Sequence, residues 1–217
     1  MMDIITKEHF FMVDGGKIYF YEDGDECGLC HGYWDGEHLH HNSESIKQFV
    51  IPNTINGKPV TEIDGDTFDG MPNLEKFVID ENHPYFKLHQ GGLYTRDMKS
   101  MYHLPPSDRK EIFRVPDNVE YIMDSALSSQ YLETIILSRH CKEIYEYGVS
   151  CCKRLKRIYL PKSITFIGFK AFIWTAPEEV FYEGSEQDKN HIYFTDEGFN
   201  AGILDATWHY HCNFPED

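Results

Sequence analysis

The chain has 217 residues, enough for one large domain or two small ones with a buried core. Hydrophobic residues make up 41% and aromatic residues 15%, proportions typical of a folded chain rather than a disordered one. The formal net charge of −16 argues against binding to nucleic acids or anionic membranes, because both favour basic surfaces. No apolar run approaches the length that spans a bilayer, so we expect no membrane insertion.

The first residues, MMDIITKEHF, contain no basic-then-apolar leader and no small-residue cleavage site. As written, the sequence therefore predicts a cytoplasmic protein. If a leader had been removed from a longer precursor, the protein would instead be secreted or exposed on the cell surface. The six cysteines are too sparse for a small fold built on disulfides, and they fit thiols in a reducing compartment.

Residues 27–41, CGLCHGYWDGEHLHH, are the first stretch whose pattern indicates chemistry. C-x-x-C-H is the attachment pattern of covalent haem, but haem loading needs an export signal, and none is visible. Two thiolates from Cys27 and Cys30 with two imidazoles, such as His38 and His40, would satisfy tetrahedral zinc, although the usual His-x₃₋₅-His spacing is wider. A redox C-x-x-C is a further alternative, but it normally begins a helix, and no helix is expected here.

A repeat follows, in which segments starting at Val50, Arg114, Ile136 and Tyr159 share one pattern. Each has an apolar start, an x-x-Ile step, a large apolar residue five positions on, and a Leu before the next apolar run. The later segments recur every 22 to 23 residues, which is a leucine-rich-repeat period. Stacked turns of this length share one core, because a single turn cannot bury its own apolar face. The pattern predicts an α+β repeat solenoid with one short β-strand per turn and short helical or 3₁₀ turns opposite it.

Residues 82–112 interrupt this period. The step from Val78 to Arg114 is 36 residues, so one turn contains an insertion. Within it, GGLYTRDMKSMYHLPP has two short alternating runs around the polar segment TRDMKS, which predicts a β-hairpin. Such insertions leave a solenoid as loops on one face, often the binding face.

These segments together resemble the BspA-type leucine-rich repeat family. VIPNTINGKPVTEIDGDTFDGMPNLEKFVI is similar to the family's I-P-x-x-I-x-G-x-x-V-x-x-I-x-x-x-x-F-x-x-x-x-x-L cadence, and the hairpin and the tail FYEGSEQDKNHIYFTDEGFNAGILDATWHYHC resemble its insertion and closing segment. The resemblance covers residues 15–212 and departs from the pattern at Ser138, Leu127 and Val149. It implies a right-handed BspA-like solenoid and a bacterial, often surface-exposed protein that takes part in cell adhesion or protein binding.

The resemblance also implies a layout for one repeat domain over residues 1–217. An N-terminal β cap at 1–49 precedes the repeats at 50–181, which carry the insertion, and a closing segment at 182–217 follows. In this layout CGLCHGYWDG is the second cap strand and its corner, so its cysteines occupy ordinary strand positions. We prefer this interpretation, which requires no cofactor, and keep zinc as the alternative.

No catalytic motif is present: the chain lacks G-x-S-x-G, a P-loop, G-x-G-x-x-G and H-E-x-x-H. The adjacent Cys151 and Cys152 fit core packing better than chemistry. We therefore predict that the protein is not an enzyme.

The remaining candidate function is the binding of a partner to the strand surface. Because side chains alternate along a strand, the residues between the inward ones should face the concave side of the solenoid. One outward column then contains Val50, Val78, Arg114, Ile136, Tyr159 and Phe181, and a parallel one contains Gln48, Lys76, Ile112, Thr134, Arg157 and Glu179. A largely apolar column with charged flanks is typical of protein-binding surfaces, although β-propensity alone also favours such residues. We predict that another protein or a polymer surface binds this face through Val78, Arg114, Ile136, Tyr159, Phe181, Arg157 and Lys76.

A basic island stands out in the acidic chain. It consists of Arg139, Lys142, Lys153, Arg154, Lys156, Arg157, Lys162 and Lys170. The island is either a solvated face that balances its acidic neighbours or a docking patch for an acidic partner.

Overall fold

The computed structural model describes residues 9–216. Its N-terminal part is a set of short strands, and buried and exposed residues alternate in Gln48–Ile51 and Lys76–Ile79, as strand pleating requires. These strands are β1 (Phe10–Val13), β2 (Gly16–Asp23), β3 (Glu26–Cys30), β4 (Gly32–Trp34), β5 (Leu39–His41), β6 (Gln48–Ile51), β7 (Thr54–Ile55), β8 (Lys58–Ile63) and β9 (Lys76–Ile79). They form a five-stranded sheet in the order β1-β2-β3-β8-β7, a β4–β5 hairpin and a parallel β6–β9 pair.

The inserted segment forms β10 (Phe86–His89), β11 (Gly92–Thr95) and β12 (Ser100–His103), which pair antiparallel in sequence. The predicted hairpin around the polar turn corresponds to β11 and β12. It does not leave the fold as a loop, because β12 continues in parallel with β14 (Tyr121–Ile122) and so extends a sheet of the repeats.

The repeats contribute two parallel sheets. The first is made of β13 (Ile112–Arg114), β15 (Thr134–Ile136), β17 (Arg157–Leu160), β19 (Glu179–Tyr182) and β21 (Thr207–His209). The second continues from the hairpin through β14, β16 (Glu143–Ile144), β18 (Phe166–Ile167) and β20 (Tyr193–Phe194). The expectation of one strand per turn was therefore wrong, since each x-x-Ile step pairs with its equivalents as a second, two-residue strand.

The connecting segments are turns, not the expected short helical or 3₁₀ turns. Ser125, Tyr147 and Lys170, at equivalent places in successive repeats, have φ values of 55°, 56° and 54°. A left-handed residue at this point breaks the run of right-handed dihedrals that a helix needs. Within residues 9–216 the only helices are α1 (Glu186–Lys189) and α2 (Ala201–Leu204), both between strands near the end of the chain.

The interior consists of two apolar clusters, one under the N-terminal strands and one under the repeats. His103 lies where they meet: its ring packs on Phe68 and Phe77 of the first cluster, with centroid distances of 5.1 and 6.1 Å, and Leu104, the next residue, belongs to the second. Neither imidazole nitrogen makes a hydrogen bond of good geometry among the described residues, although the backbone of Ser125 partly opposes the effect of burial on the pKa. Burial lowers the pKa of His103 to about 3, so the imidazole is neutral in the folded protein.

Because His103 is buried in its neutral form, the stability of the folded protein should depend on pH. Because the folded-state pKa lies below the ordinary value of 6.5, His103 takes up a proton more readily after unfolding, and the folded state loses stability as the pH falls below about 6.5. We expect His103→Leu to gain about 2 kcal/mol relative to wild type between pH 7 and pH 5, measured by urea unfolding. The exposed His191 provides the control, His191→Leu. An identical gap between His103→Leu and wild type at both pH values would contradict a buried neutral imidazole.

Candidate interaction face on the parallel sheet

The structure places the predicted outward residues in register on two separate sheets. In the parallel sheet β13–β15–β17–β19–β21, Arg114, Ile136, Tyr159 and Phe181 lie side by side. Val50 and Val78 are also in register, but on the β6–β9 pair, together with Lys76. These three side chains are exposed, yet they belong to a sheet that does not pair with β13. The predicted face is therefore divided by the insertion.

The aromatic residues of the column form a stack. The rings of Tyr159 and Phe181 lie 4.7 Å apart at an interplanar angle of 14°, and those of Phe181 and His209 lie 4.9 Å apart at 15°. His209 Nε2 also lies 3.1 Å from Glu179 Oε1, which anchors the imidazole at the end of the row. Parallel pairing causes this stacking, because equivalent residues of neighbouring strands are held at one strand spacing. His209 was missed in the sequence.

The side chains of the parallel column beside the aromatic row differ in their exposure to solvent. Ile112 is 59% exposed and Arg157 is exposed, whereas Thr134 is buried and Glu179 half-buried. Arg157 and Glu179 are in register on neighbouring strands, so the aromatic row has charges of both signs beside it. This arrangement suits a partner with mixed polar and apolar groups.

The chain's own C-terminal segment, residues 213–216, covers the other end of the column. Phe214 is 5% exposed, and its ring meets that of Tyr159 edge-on, with centroids 6.1 Å apart. Arg114 donates a hydrogen bond from Nη2 to the carbonyl oxygen of Pro215, at 2.7 Å. Ile136, between Arg114 and Tyr159 in the register, is only 5% exposed. The column was expected to face solvent throughout, but Ile136 is buried, Phe214 covers Tyr159, and Phe181 and His209 at the other end are half-buried.

Four of the eight residues of the basic island pair with acidic neighbours. Lys142 pairs with Glu120, which also pairs with Lys99. Arg154 and Lys156 both pair with Glu133, and Lys162 lies 3.2 Å from Asp188. The pairs bridge successive repeats, because equivalent positions in neighbouring turns are adjacent. These contacts favour the interpretation of the island as a solvated, balanced face.

The C-x-x-C stretch forms strand β3 and does not gather ligands. Cys27 packs into the N-terminal core with Leu29, while Cys30, at an odd offset from both, lies on the opposite side of the strand. His40 pairs with Asp35 at 2.8 Å, and His38 donates its backbone N–H to the same carboxylate. Within the described part of the chain, no three His, Cys, Asp or Glu side chains are grouped to hold a metal ion. The four residues of the zinc alternative, Cys27, Cys30, His38 and His40, are therefore not brought together.

Thiol reactivity tests this assignment. Burial raises the pKa of Cys30, Cys141 and Cys152 to about 12 and also raises that of Cys27, whereas Cys151 is partly exposed. Alkylation of the intact protein with iodoacetamide at pH 8, followed by peptide mass spectrometry, should modify Cys151 well before Cys27 or Cys30. The protection should persist in a metal chelator, since it comes from packing. Rapid labelling of Cys27 and Cys30 only after chelation would revive the zinc alternative.

A groove lies on the turn side of the repeats. Its volume is about 470 Å³, and it is lined by Asp69, Ser125, Tyr147 and Trp174, among others. Burial raises the pKa of Asp69 to about 6, and Ser125 Oγ donates a hydrogen bond to its carboxylate at 3.1 Å. Trp174 is 69% exposed at the groove edge. This groove is separate from the aromatic row and provides a control surface for binding experiments.

Comparison with known proteins identifies the class of the fold. The chain is a leucine-rich repeat protein built mostly of strands. Residues 108–195 match the BspA type leucine rich repeat region, with six copies, and this match confirms the resemblance seen in the sequence. No curated protein matches the chain.

Two solved bacterial proteins match parts of this chain. A leucine-rich repeat protein from Eubacterium ventriosum superposes with a TM-score of 0.57 at 21% identity, over 65% of this chain and 37% of that one. The match thus spans little more than a third of that protein. A leucine rich cell surface protein from Faecalibacterium prausnitzii is more distant, with a TM-score of 0.44 and 20% identity over 70% of this chain and 51% of that one. No helix within residues 9–216 has the length and apolarity needed to cross a membrane.

Proposed function

We propose that the protein is a non-catalytic scaffold that binds another protein through the parallel-sheet face, with the aromatic row Tyr159–Phe181–His209 at its centre. The observation that carries this proposal is the row itself, in which three rings stack at centroid distances below 5 Å. Aromatic side chains present a large contact area at a low entropy cost, and they dominate the energetics of many interfaces.

The surroundings of the row support the same function. The strands beneath it are fixed by residues such as Ile135, Ile158 and Val180, each 0% exposed, so the surface is formed before a partner arrives. A preformed surface loses little conformational entropy on binding. An adhesion-type role at a bacterial surface is the specific form that the family resemblance favours, and the proposal needs no cofactor.

Capture from a bacterial protein extract, quantified by mass spectrometry, tests the proposal. Proteins retained by the immobilised wild-type chain should be retained at least tenfold less by the double variant Phe181→Ala, His209→Ala, because these two half-buried rings supply the central contacts. Trp174→Ala, in the groove on the turn side, is the matched control and should capture normally. All variants must first melt as single cooperative units.

Two results would contradict the proposal. Equal capture by wild type and the double variant would show that the aromatic row is not the binding surface. Loss of capture in Trp174→Ala alone would show instead that partners bind the groove on the turn side of the repeats.

A further inference from the structure

We propose that the strand face is a peptide-binding groove that residues 213–216 of this chain occupy in cis, and that a partner binds it with an extended segment of the same chemistry. That chemistry is an aromatic residue followed directly by proline and then by an acidic residue, as in the chain's own Asn-Phe-Pro-Glu. The inference rests on the proposed function, because it names the kind of partner that the same face would take.

The first support is the aromatic anchor. Phe214 is enclosed on the sheet face by the ring of Tyr159 and by the guanidinium of Arg139, whose Cζ lies 5.6 Å from the ring centroid. One ring thus receives an edge-to-face contact and a cation–π contact at a site where it is 5% exposed. An aromatic side chain in a formed pocket is the usual anchor of a peptide ligand.

The second support is recognition of the backbone that follows the anchor. Arg114 Nη2 donates to the carbonyl oxygen of Pro215 and lies 3.4 Å from that of Glu216, although these residues are about a hundred positions away in sequence. Proline has no N–H to satisfy, and it keeps the residue before it extended. An aromatic-proline segment is therefore prepared for this groove before it binds.

The third support is the small number of bonds that hold the segment. The amide of Cys212 donates to Tyr182 at 3.0 Å, and beyond it residues 213–216 make no backbone-to-backbone hydrogen bond to the described part of the chain. Apart from Phe214, the segment is partly or fully exposed. Contacts made through the Phe214 ring, Arg139 and Arg114 can be exchanged for those of another peptide without unpairing any strand.

Charge determines which peptides fit. Arg114 and Arg139 flank the anchor in a chain whose net charge is −16, so the groove is a locally basic place on an acidic molecule. A segment with an acidic residue after the proline would be attracted to this end, and a basic segment would be repelled by it. We therefore expect acidic aromatic-proline peptides to be preferred.

The tethered segment competes with any external peptide. A short tether gives an effective concentration on the order of millimolar, so an external copy of equal affinity binds wild type poorly until the internal copy is removed. Replacing Phe214 in the 217-residue chain should therefore increase the affinity for an external peptide, whereas most substitutions of buried aromatic residues only destabilise a protein.

Fluorescence anisotropy with the labelled peptide HSNFPED, which is residues 211–217 with serine in place of cysteine, tests the inference. The Phe214→Ala variant of the 217-residue chain should bind this peptide at least tenfold more tightly than wild type. The peptide HSNAPED should bind neither protein, and adding Arg114→Gln to Phe214→Ala should reduce binding at least fivefold. Phe199→Ala, which removes an exposed aromatic residue elsewhere, should behave like wild type.

Two results of these binding experiments would overturn the inference. Equally weak binding of HSNFPED to wild type and to a folded Phe214→Ala variant would overturn the inference and make the tail a fixed structural element. If Phe214→Ala does not fold, Phe214→Leu keeps the apolar packing but loses the ring contacts, and it must show the same gain or the inference fails. Failure here with capture still dependent on Phe181 and His209 would leave the proposed function standing.

Discussion

The fold depends on one constraint: a turn of 22 to 23 residues cannot bury its own apolar face and must stack on the next turn. The buried residues of the two parallel sheets show how this is met. Ile122, Ile144 and Ile167 lie in register in one sheet and Ile135, Ile158 and Val180 in the other, and all six are 0% exposed. Parallel pairing and shared burial thus reinforce each other, and neither is available to an isolated turn.

The regular arrangement of the surface side chains follows from this stacking. Because buried residues repeat in register, the side chains between them do so as well, and this produces the aromatic row on one sheet and the ion pairs that link successive repeats. The same geometry lets one short segment touch several turns. Residues 213–216 reach from β17 to β13 and contact Tyr159 and Arg114, which lie on strands two apart. A partner segment laid across the strands would meet the same succession of side chains.

The sequence predicted the features that depend on repetition. The x-x-Ile steps, the alternating strands and the hairpin around TRDMKS correspond to elements of the structure, whereas the right-handed sense of the solenoid and its concave side stay predictions. The second strand in each turn was missed because two residues are too few to show alternation. His209 was missed because the step from Phe181 to it is 28 residues, outside the period. The covering tail was missed because Asn-Phe-Pro-Glu has no pattern of its own, and its position depends on a contact with Arg114 from far along the chain.

Residues 213–216 lie on the strand face, and solution NMR tests this placement most directly. The account predicts nuclear Overhauser effects between the ring protons of Phe214 and Tyr159, whose centroids lie 6.1 Å apart, together with a slowly exchanging amide at Cys212. A Phe214 ring with random-coil chemical shifts and no cross-peak to Tyr159 would contradict it. The strand face would then be open along its whole length, as the sequence alone had indicated.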